Sequence, residues 1–343
     1  GGELLTVLGI TSARQLLVWM QTTPETLDAS ASYLRIFFLG MVPTMLYNMG
    51  SGILRAMGDS KRPLYYLFVC VVANIALDLL FVIVFQWGIE GAAAATALSQ
   101  VVCAALVVRA LRRLPEDQRL LYDREELDRG ILRRMLHVGI PAALQSSMYG
   151  VANIVLQVGI NMLGTDSMAG WTAFNKFDDY YWPISNAIGI AVMTYVGQNF
   201  GAGDRERLKQ GFRQATIASA VFSAVISALV FVFANPLMRI FVQAGETQVL
   251  AAGVLYLRVE GACYVGIGCL FLLYGFYRAI KRPGMSVVLT VISLGTRVAL
   301  AYLLSAIPAI GVIGIWWSVP IGWALADLTG LFYYKARKKE LLA

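Results

Sequence analysis

Apolar residues run along this chain in blocks of about twenty, broken by short polar turns. The clearest blocks are 64–85, 91–108, 215–234 and 287–307. A helix rises 1.5 Å per residue, so about 20 apolar residues cross a hydrocarbon core of ~30 Å. The pattern therefore predicts membrane-spanning helices. We place them at about 1–19 (a partial span), 30–56, 63–86, 88–110, 134–162, 168–197, 212–235, 249–279, 284–306 and 309–334.

The polar breaks alternate in charge. Arg55, Lys61 and Arg62 share one break, and Arg109 to Arg134 supply eight basic residues in another. Four more lie between Arg205 and Arg213, three between Arg278 and Arg282, and four between Lys335 and Lys339. Together these five breaks hold 22 of the 28 Lys and Arg. The intervening turns, 21–29, 86–90, 164–167, 243–248 and 306–311, hold no Lys or Arg but contain Glu25, Asp28, Glu90, Asp166 and Glu246. Basic loops stay in the cytoplasm. The alternation predicts a multi-pass protein of a prokaryotic plasma membrane, with its C-terminus cytoplasmic and its acidic turns outside.

The chain also repeats itself. Tyr33-Leu34-Arg35 returns as Tyr256-Leu257-Arg258, Arg55-Ala56 as Arg278-Ala279, and Gly88-x-x-Gly91 as Gly311-x-x-Gly314, each 223 positions on (256 − 33, 278 − 55, 311 − 88). Lys61-Arg62-Pro63 returns as Lys281-Arg282-Pro283. Both copies keep one polarity relative to the basic breaks, so they are parallel repeats, an architecture of transporters. The expected organisation is an incomplete N-terminal lobe over 1–113, a charged cytoplasmic linker over 114–133 and a complete C-terminal lobe over 134–343. Shifting the start of the second lobe back by the repeat distance places about 90 residues, two spans and part of a third at ~20 residues each, before Gly1. The fold class is all-α integral membrane, two lobes of a twelve-span parent, with about nine and a half spans present.

Composition agrees. Hydrophobic residues make up 58% and charged residues 14%, with a mean hydropathy of +0.65, where a water-soluble domain carries about 25% charged residues. The net charge of +7 sits in short loops, which points to topology and argues against nucleic acid as a partner. Cys70, Cys103, Cys263 and Cys269 lie in apolar spans without metal-ligand spacing and read as packing residues, as free cysteines usually are. His137, the single histidine, reads as an interfacial residue beside Arg133 and Arg134. Pro43, Pro141, Pro183 and Pro320 are expected to kink their spans. No phosphate loop, zinc-protease helix or Ser/His/Asp set is present. With neither catalytic nor metal site in view, the chain is not read as an enzyme.

Polar groups inside spans are expensive and functional by default. Asn74 and Asp78 stand four apart on one helix face. Thr96 lies on the next span, and Asp78 and Thr96 both sit ~12–15 Å below the outer surface. A carboxylate, an amide carbonyl and a hydroxyl at one depth are hard oxygen ligands, suited to H⁺ or Na⁺. The second half of the repeat has Val298 or Ala301 for Asp78, and Val319 for Thr96, so the fold does not require these groups. A purely structural Asp78, bonded to a neighbouring helix, is the competing reading. It must bear the cost of an acid at mid-membrane, several kcal/mol unless paired or protonated.

Lys176, Asp178 and Asp179 fall in the run Phe174–Pro183. Either one acid faces a cavity while the other pairs with Lys176, with Tyr181 and its aromatic neighbours stacking on an organic cation, or the run is an aromatic belt with a structural ion pair. Arg297 and Asp327, in the last two spans, either neutralise each other or face the cavity. Glu260 stands two residues from Arg258, which is expected to neutralise it.

In these motifs the chain resembles the multidrug and toxic compound extrusion family along essentially all its length. The markers are Tyr33-Leu-Arg-Ile, Gly52-Ile-Leu-Arg-Ala-Met-Gly-Asp-Ser-Lys-Arg-Pro63, Asn74-Ile-Ala-Leu-Asp78, Gly88-Ile-Glu-Gly-Ala-Ala-Ala-Ala-Thr96, Gly139-Ile-Pro-Ala-Ala-Leu-Gln145 and Gly197-Gln-Asn-Phe-Gly-Ala-Gly203. The resemblance implies a twelve-helix, two-lobe antiporter that exports small amphipathic organic cations against H⁺ or Na⁺ by alternating access. No cofactor beyond that coupling ion is implied, and the partners are the lipid bilayer and the substrate, with the protein a monomer. Asn74, Asp78 and Thr96 match the family's first-lobe cation site. Its remaining first-lobe carboxylate belongs to a helix that this chain lacks. Gln145 stands where one branch has a glutamate, and 263–277 contains no acid, so the resemblance leans to the DinF-like branch. Lipid-linked oligosaccharide flippases of the same superfamily are the alternative; their cavities are more densely basic.

Overall fold

The computed structural model describes residues 2–19, 24–116, 128–161, 165–242 and 245–341. Among them the secondary structure is helical throughout. They fall into two compact units, Gly1–Glu126 and Leu127–Ala343.

The first unit comprises α1 (Gly2–Trp19), α2 (Pro24–Leu39), α3 (Met41–Ala56), α4 (Lys61–Asp78), which runs on as a π-helical turn over Leu79–Val84, and α5 (Gly88–Arg112). Asp59 starts α4 by accepting from the backbone amides of Lys61 (3.2 Å) and Arg62 (3.1 Å), two of the donors that a helix start leaves free. The turn into α5 needs left-handed backbone at Gln86 (φ 56°) and Gly88 (φ 59°). Phe81, Phe85 and Trp87 cluster around it, with centroids 5.0 to 5.9 Å apart. α5 lies against α2, α3 and α4, and Leu54, Val107, Ala110 and Leu111 form the small core. The opposite face of α4 is bare: Leu64, Phe68, Val72, Ile75, Leu79 and Ile83 are each 50 to 67% exposed. Such a stripe, recurring at helical spacing, has hydrocarbon for its solvent.

The second unit comprises α6 (Arg129–Asn161), α7 (Thr165–Gly201), α8 (Arg205–Met238), α9 (Thr247–Gly261), α10 (Tyr264–Ala279), α11 (Pro283–Ser305) and α12 (Val312–Leu341). Asp128 caps α6 through the amides of Gly130 (2.6 Å) and Ile131 (3.2 Å), and Asp204 caps α8 through Arg207 N (3.0 Å). α10 is the axle. It packs on α7, α8, α11 and α12, and Leu270, Leu272, Leu273, Phe276 and Tyr277 are all buried. At its crossing with α7 the backbones nearly touch: a Cβ on Gly275 would lie 2.3 Å from the Gly189 carbonyl oxygen.

The repeat read from the sequence is a repeat of helix boundaries. The starts of α2 and α9 differ by the repeat distance (247 − 24), as do the starts of α3 and α10 (264 − 41), and the latter pair also end at that offset (279 − 56). Each pair is bent at its break, by 41° between α2 and α3 and by 49° between α9 and α10. Gly58 and Lys281 occupy the same place after the second segment, both left-handed (φ 90° and 61°), and Gly88 and Gly311 (φ 59° and 52°) open the final helices.

The bends of the paired helices fall at Gly40, three residues before Pro43, and at Cys263, while α6, α7, α8 and α12 each continue as one helix through an internal proline. Among the described residues five helices are long and apolar enough to cross a membrane, or up to seven if each bent pair is one span. α6 and α7, at 33 and 37 residues, have the length but not the apolarity. Many of their polar side chains line one cavity. The linker expected over 114–133 lies largely outside the described residues.

The Gly189–Gly275 contact makes a measurable prediction. Gly275→Ala should lower thermal stability, since overpacking against backbone costs about 1–3 kcal/mol. Gly52→Ala, in α3 with nothing within 4 Å, should leave it unchanged or raise it by up to ~1 kcal/mol. Thiol-dye unfolding of the purified protein reads both.

Candidate functional site

In the first unit, Cys70, Asn74 and Asp78 stand on one stripe of α4, two turns from end to end. Cys70 Sγ donates to the Ser99 carbonyl (3.2 Å) and Cys103 Sγ to that of Tyr66 (3.4 Å), so the cysteines pack between α4 and α5. Asn74 Nδ2 and Asp78 Oδ1 are buried without a hydrogen-bond partner. Thr96 Oγ1 donates to the Ala92 carbonyl of its own helix (3.1 Å), which leaves its lone pairs free. Asp78 is also the last residue before the π-helical turn, a distortion frequent at functional sites. The counterpart of Asp78 in the second unit is apolar; Ala301 belongs to the core there. An unpartnered carboxylate oxygen, an amide and a hydroxyl are donor groups that fit H⁺ or Na⁺.

The second unit carries a half-open chamber of about 680 Å³, within the range of small-molecule sites. α6 lines it with a stripe at every fourth position, Gln145, Tyr149, Asn153 and Gln157; α7 contributes Trp171, Asn175, Asp178, Asp179, Trp182 and Asn186. This is where the polar content of the two least apolar long helices goes. The far wall comes from α10 and α11, with Phe271, Tyr274, Arg278 and Arg297. Its aromatics meet edge to face, Tyr149 with Trp182 at 5.4 Å and Trp182 with Phe271 at 5.5 Å. The Arg297 guanidinium lies 6.0 Å from the Trp171 ring centroid.

Of the residues expected in a cavity, Gln145, Asp178, Asp179 and Arg297 line this chamber. Gln145 is buried and accepts from Arg278. Asp178 Oδ1 accepts from the Tyr264 hydroxyl at 3.0 Å. Lys176 points elsewhere, into a separate recess with Ala173 and Phe241 that shares only Gln157 with the chamber. Among the described residues it forms no ion pair with Asp178 or Asp179. Tyr181 is a core residue instead of a substrate contact. Its hydroxyl bonds Ser223 Oγ and the Tyr264 carbonyl, both at 2.9 Å, and its ring stacks on Tyr264 at 3.9 Å. Asp327 is buried beside Gly266, outside the chamber lining, with Oδ1 unpartnered. It makes no ion pair with Arg297 among the described residues.

Glu260 departs from the sequence expectation. It is 1% exposed, with Oε2 unpartnered, behind Asp178 and within electrostatic reach of Arg297. Arg258 does not neutralise it: that side chain points outward over the Phe231 ring (5.6 Å). Residues two apart on a helix do not face each other, and that rule is the signal the sequence offers. Asp178, Glu260 and Arg297, with Tyr256 and Tyr264 between them, form one ionisable group at the chamber wall.

A lipid-facing helical bundle holding an amphipathic chamber of ligand size defines a multi-pass membrane transporter. Comparison with known proteins gives the family. The MatE family pattern matches residues 2–80 and 141–303. The probable multidrug resistance protein YoeA of Bacillus subtilis is 28% identical over 99% of this chain and 75% of its own length. YpnP of the same organism, also named a probable multidrug resistance protein, is 31% identical over 94% and 71%. Among solved structures, a MOP superfamily transporter from Pyrococcus furiosus superposes with a TM-score of 0.93 at 22% identity, covering all of this chain and 76% of that one. The chain belongs to the MatE family, and is a transporter rather than an enzyme.

The placement of these side chains predicts a labelling pattern. In a cysteine-free background, Asn153→Cys and Asp179→Cys should react with a hydrophilic methanethiosulfonate, and Tyr181→Cys and Asp327→Cys should not. Equal reactivity at all four would contradict the chamber described.

Proposed function

We propose that this protein is a secondary antiporter that exports small amphipathic organic cations, multidrug efflux in kind, in exchange for H⁺ or Na⁺ by alternating access. The observation that carries the reading is the chamber of the second unit, where Asp178 and Asp179 stand among Tyr149, Trp171 and Trp182. Acids give an organic cation its counter-charge. Aromatic faces add about 0.5–2 kcal/mol per cation contact as water leaves. Both B. subtilis relatives carry names of multidrug resistance proteins, which supports the same substrate class.

The coupling ion is assigned to Asp78, with Asn74 and Thr96 supplying further ligands. A carboxylate at the helix centre is worth several kcal/mol more when protonated, or when a cation offsets its charge. Occupancy by the ion and occupancy by the drug then compete, and this competition couples the flows. The basic loops support a cytoplasmic C-terminus in a prokaryotic cell, and a monomer is proposed as the working unit. Lipid-linked oligosaccharide translocation is not favoured, because the chamber carries acids as well as bases.

The test uses the complete protein in proteoliposomes with ethidium, and H⁺ and Na⁺ gradients imposed separately. One of the two gradients should drive ethidium movement. Asp78→Asn should cut that coupled flux at least about tenfold while ethidium binding persists. Coupled flux at the wild-type rate in Asp78→Asn would remove Asp78 from the mechanism.

A further inference from the structure

The chamber has a second pole, opposite in sign to the first. Tyr264, whose hydroxyl bonds Asp178, opens α10, and Arg278 lies in the last turn of the same helix. Around Arg278 the surroundings are neutral donors and acceptors. Its Nη2 donates to Gln145 Oε1, and the hydroxyls of Tyr149 and Tyr274 lie near it, bonded to each other at 3.0 Å. Its Nε is buried without a partner, and among the described residues no carboxylate pairs with it. Ser146, next to Gln145, also lines the chamber.

A guanidinium half-buried in a membrane lobe, with no counter-ion from its own unit, is costly. The arrangement also has unused capacity. Arginine presents five donors in a planar fork that matches phosphate and carboxylate, and among the described residues only one of them has a partner. Position alone does not make Arg278 a site, since Arg55 holds the matching place in the first unit, at the repeat distance (278 − 55). The surroundings of Arg278 carry the argument: a 2% exposed glutamine that orients it, two tyrosine hydroxyls beside it, and a chamber in front.

We infer that Arg278, held by Gln145 and flanked by Tyr149 and Tyr274, is an anion-accepting end of the transport chamber. It extends the substrate class to aromatic amphipaths that bear a phosphate or carboxylate. The inference rests on the reading of this chamber as the substrate site. The anion is bound by charge-assisted hydrogen bonds at Arg278, and the aromatic body lies along Tyr149, Trp182 and Phe271. A molecule carrying both charges engages Arg278 at one pole and Asp178 at the other.

The experiment measures equilibrium binding to the full chain in maltoside detergent with three probes: 4-methylumbelliferyl phosphate, its parent 4-methylumbelliferone at mildly acid pH where the phenol is neutral, and ethidium. The phosphate should bind more tightly than the parent. Arg278→Gln should weaken the phosphate at least about tenfold, as loss of a charge-assisted hydrogen bond requires, and weaken it more than it weakens ethidium. Arg278→Lys should restore part of the loss, which a folding defect would not permit. Asp178→Asn should shift the preference the other way. Phosphatidylglycerol competing with the phosphate probe would assign the pole to a lipid headgroup, and indifference to it would assign the pole to soluble anions; both outcomes retain the site. No preference of wild type for the phosphate over its parent, or equal weakening of all probes by Arg278→Gln, would overturn the inference. Loss of ethidium binding in the wild type would instead strike at cation export and leave the anion pole standing.

Discussion

Hydrocarbon offers no hydrogen bonds, and this lack orders the structure. A polar side chain at membrane depth must find a partner within the protein or face an internal space that admits one. α4 shows the consequence on one helix, with the Leu64–Ile83 stripe bare to lipid and the Cys70–Asn74–Asp78 stripe turned against it. α6 and α7 show it at larger scale. Their amides and carboxylates converge on the chamber, and the two helices thereby lose the apolarity that marks an ordinary span. The cavity and the poor hydropathy of its walls have the same cause.

The two units share a skeleton and differ in what is placed on it. Bent spans, helix boundaries and left-handed turn residues recur at one offset, so they belong to the repeat. Asp78 has no acidic counterpart, and Glu260, which answers to Phe37 at the same offset (260 − 37), has no charged forerunner. Residues present in only one copy are those that folding does not demand. In the first unit the result is an unpartnered amide and carboxylate on one stripe of α4. In the second it is a group of Asp178, Glu260 and Arg297 beside aromatic walls.

Much of the fold is legible in the sequence because lipid enforces simple periodicity. The apolar blocks, the basic breaks and the repeat locate the helices, and Tyr33-Leu34-Arg35 against Tyr256-Leu257-Arg258 sets the register. The site is legible only in part. Composition marks Asp178 and Tyr181 equally, yet a helix turns them in different directions. Asp178 reaches the chamber, and Tyr181 is held in the core by Ser223 and by the Tyr264 carbonyl. Glu260 is easily discounted for its neighbour Arg258, in a setting where i and i+2 diverge. The role of Gln145 depends on Arg278, far along the chain on another helix, and no local pattern reveals such a pair. The bend at Cys263 escapes notice because no proline marks it, whereas Pro43 stands three residues from the bend at Gly40.

The central claim is that the polar interior of the second unit is where the substrate sits. Photolabelling tests it most directly: an azido-substituted aromatic cation is bound to the complete protein, activated, and its attachment sites mapped by peptide mass spectrometry. The account predicts adducts on α6 and α7 around Tyr149, Trp171 and Trp182, suppressed by excess unlabelled cation. Competable adducts confined to the lipid-facing residues of α4, with none on those two helices, would contradict it.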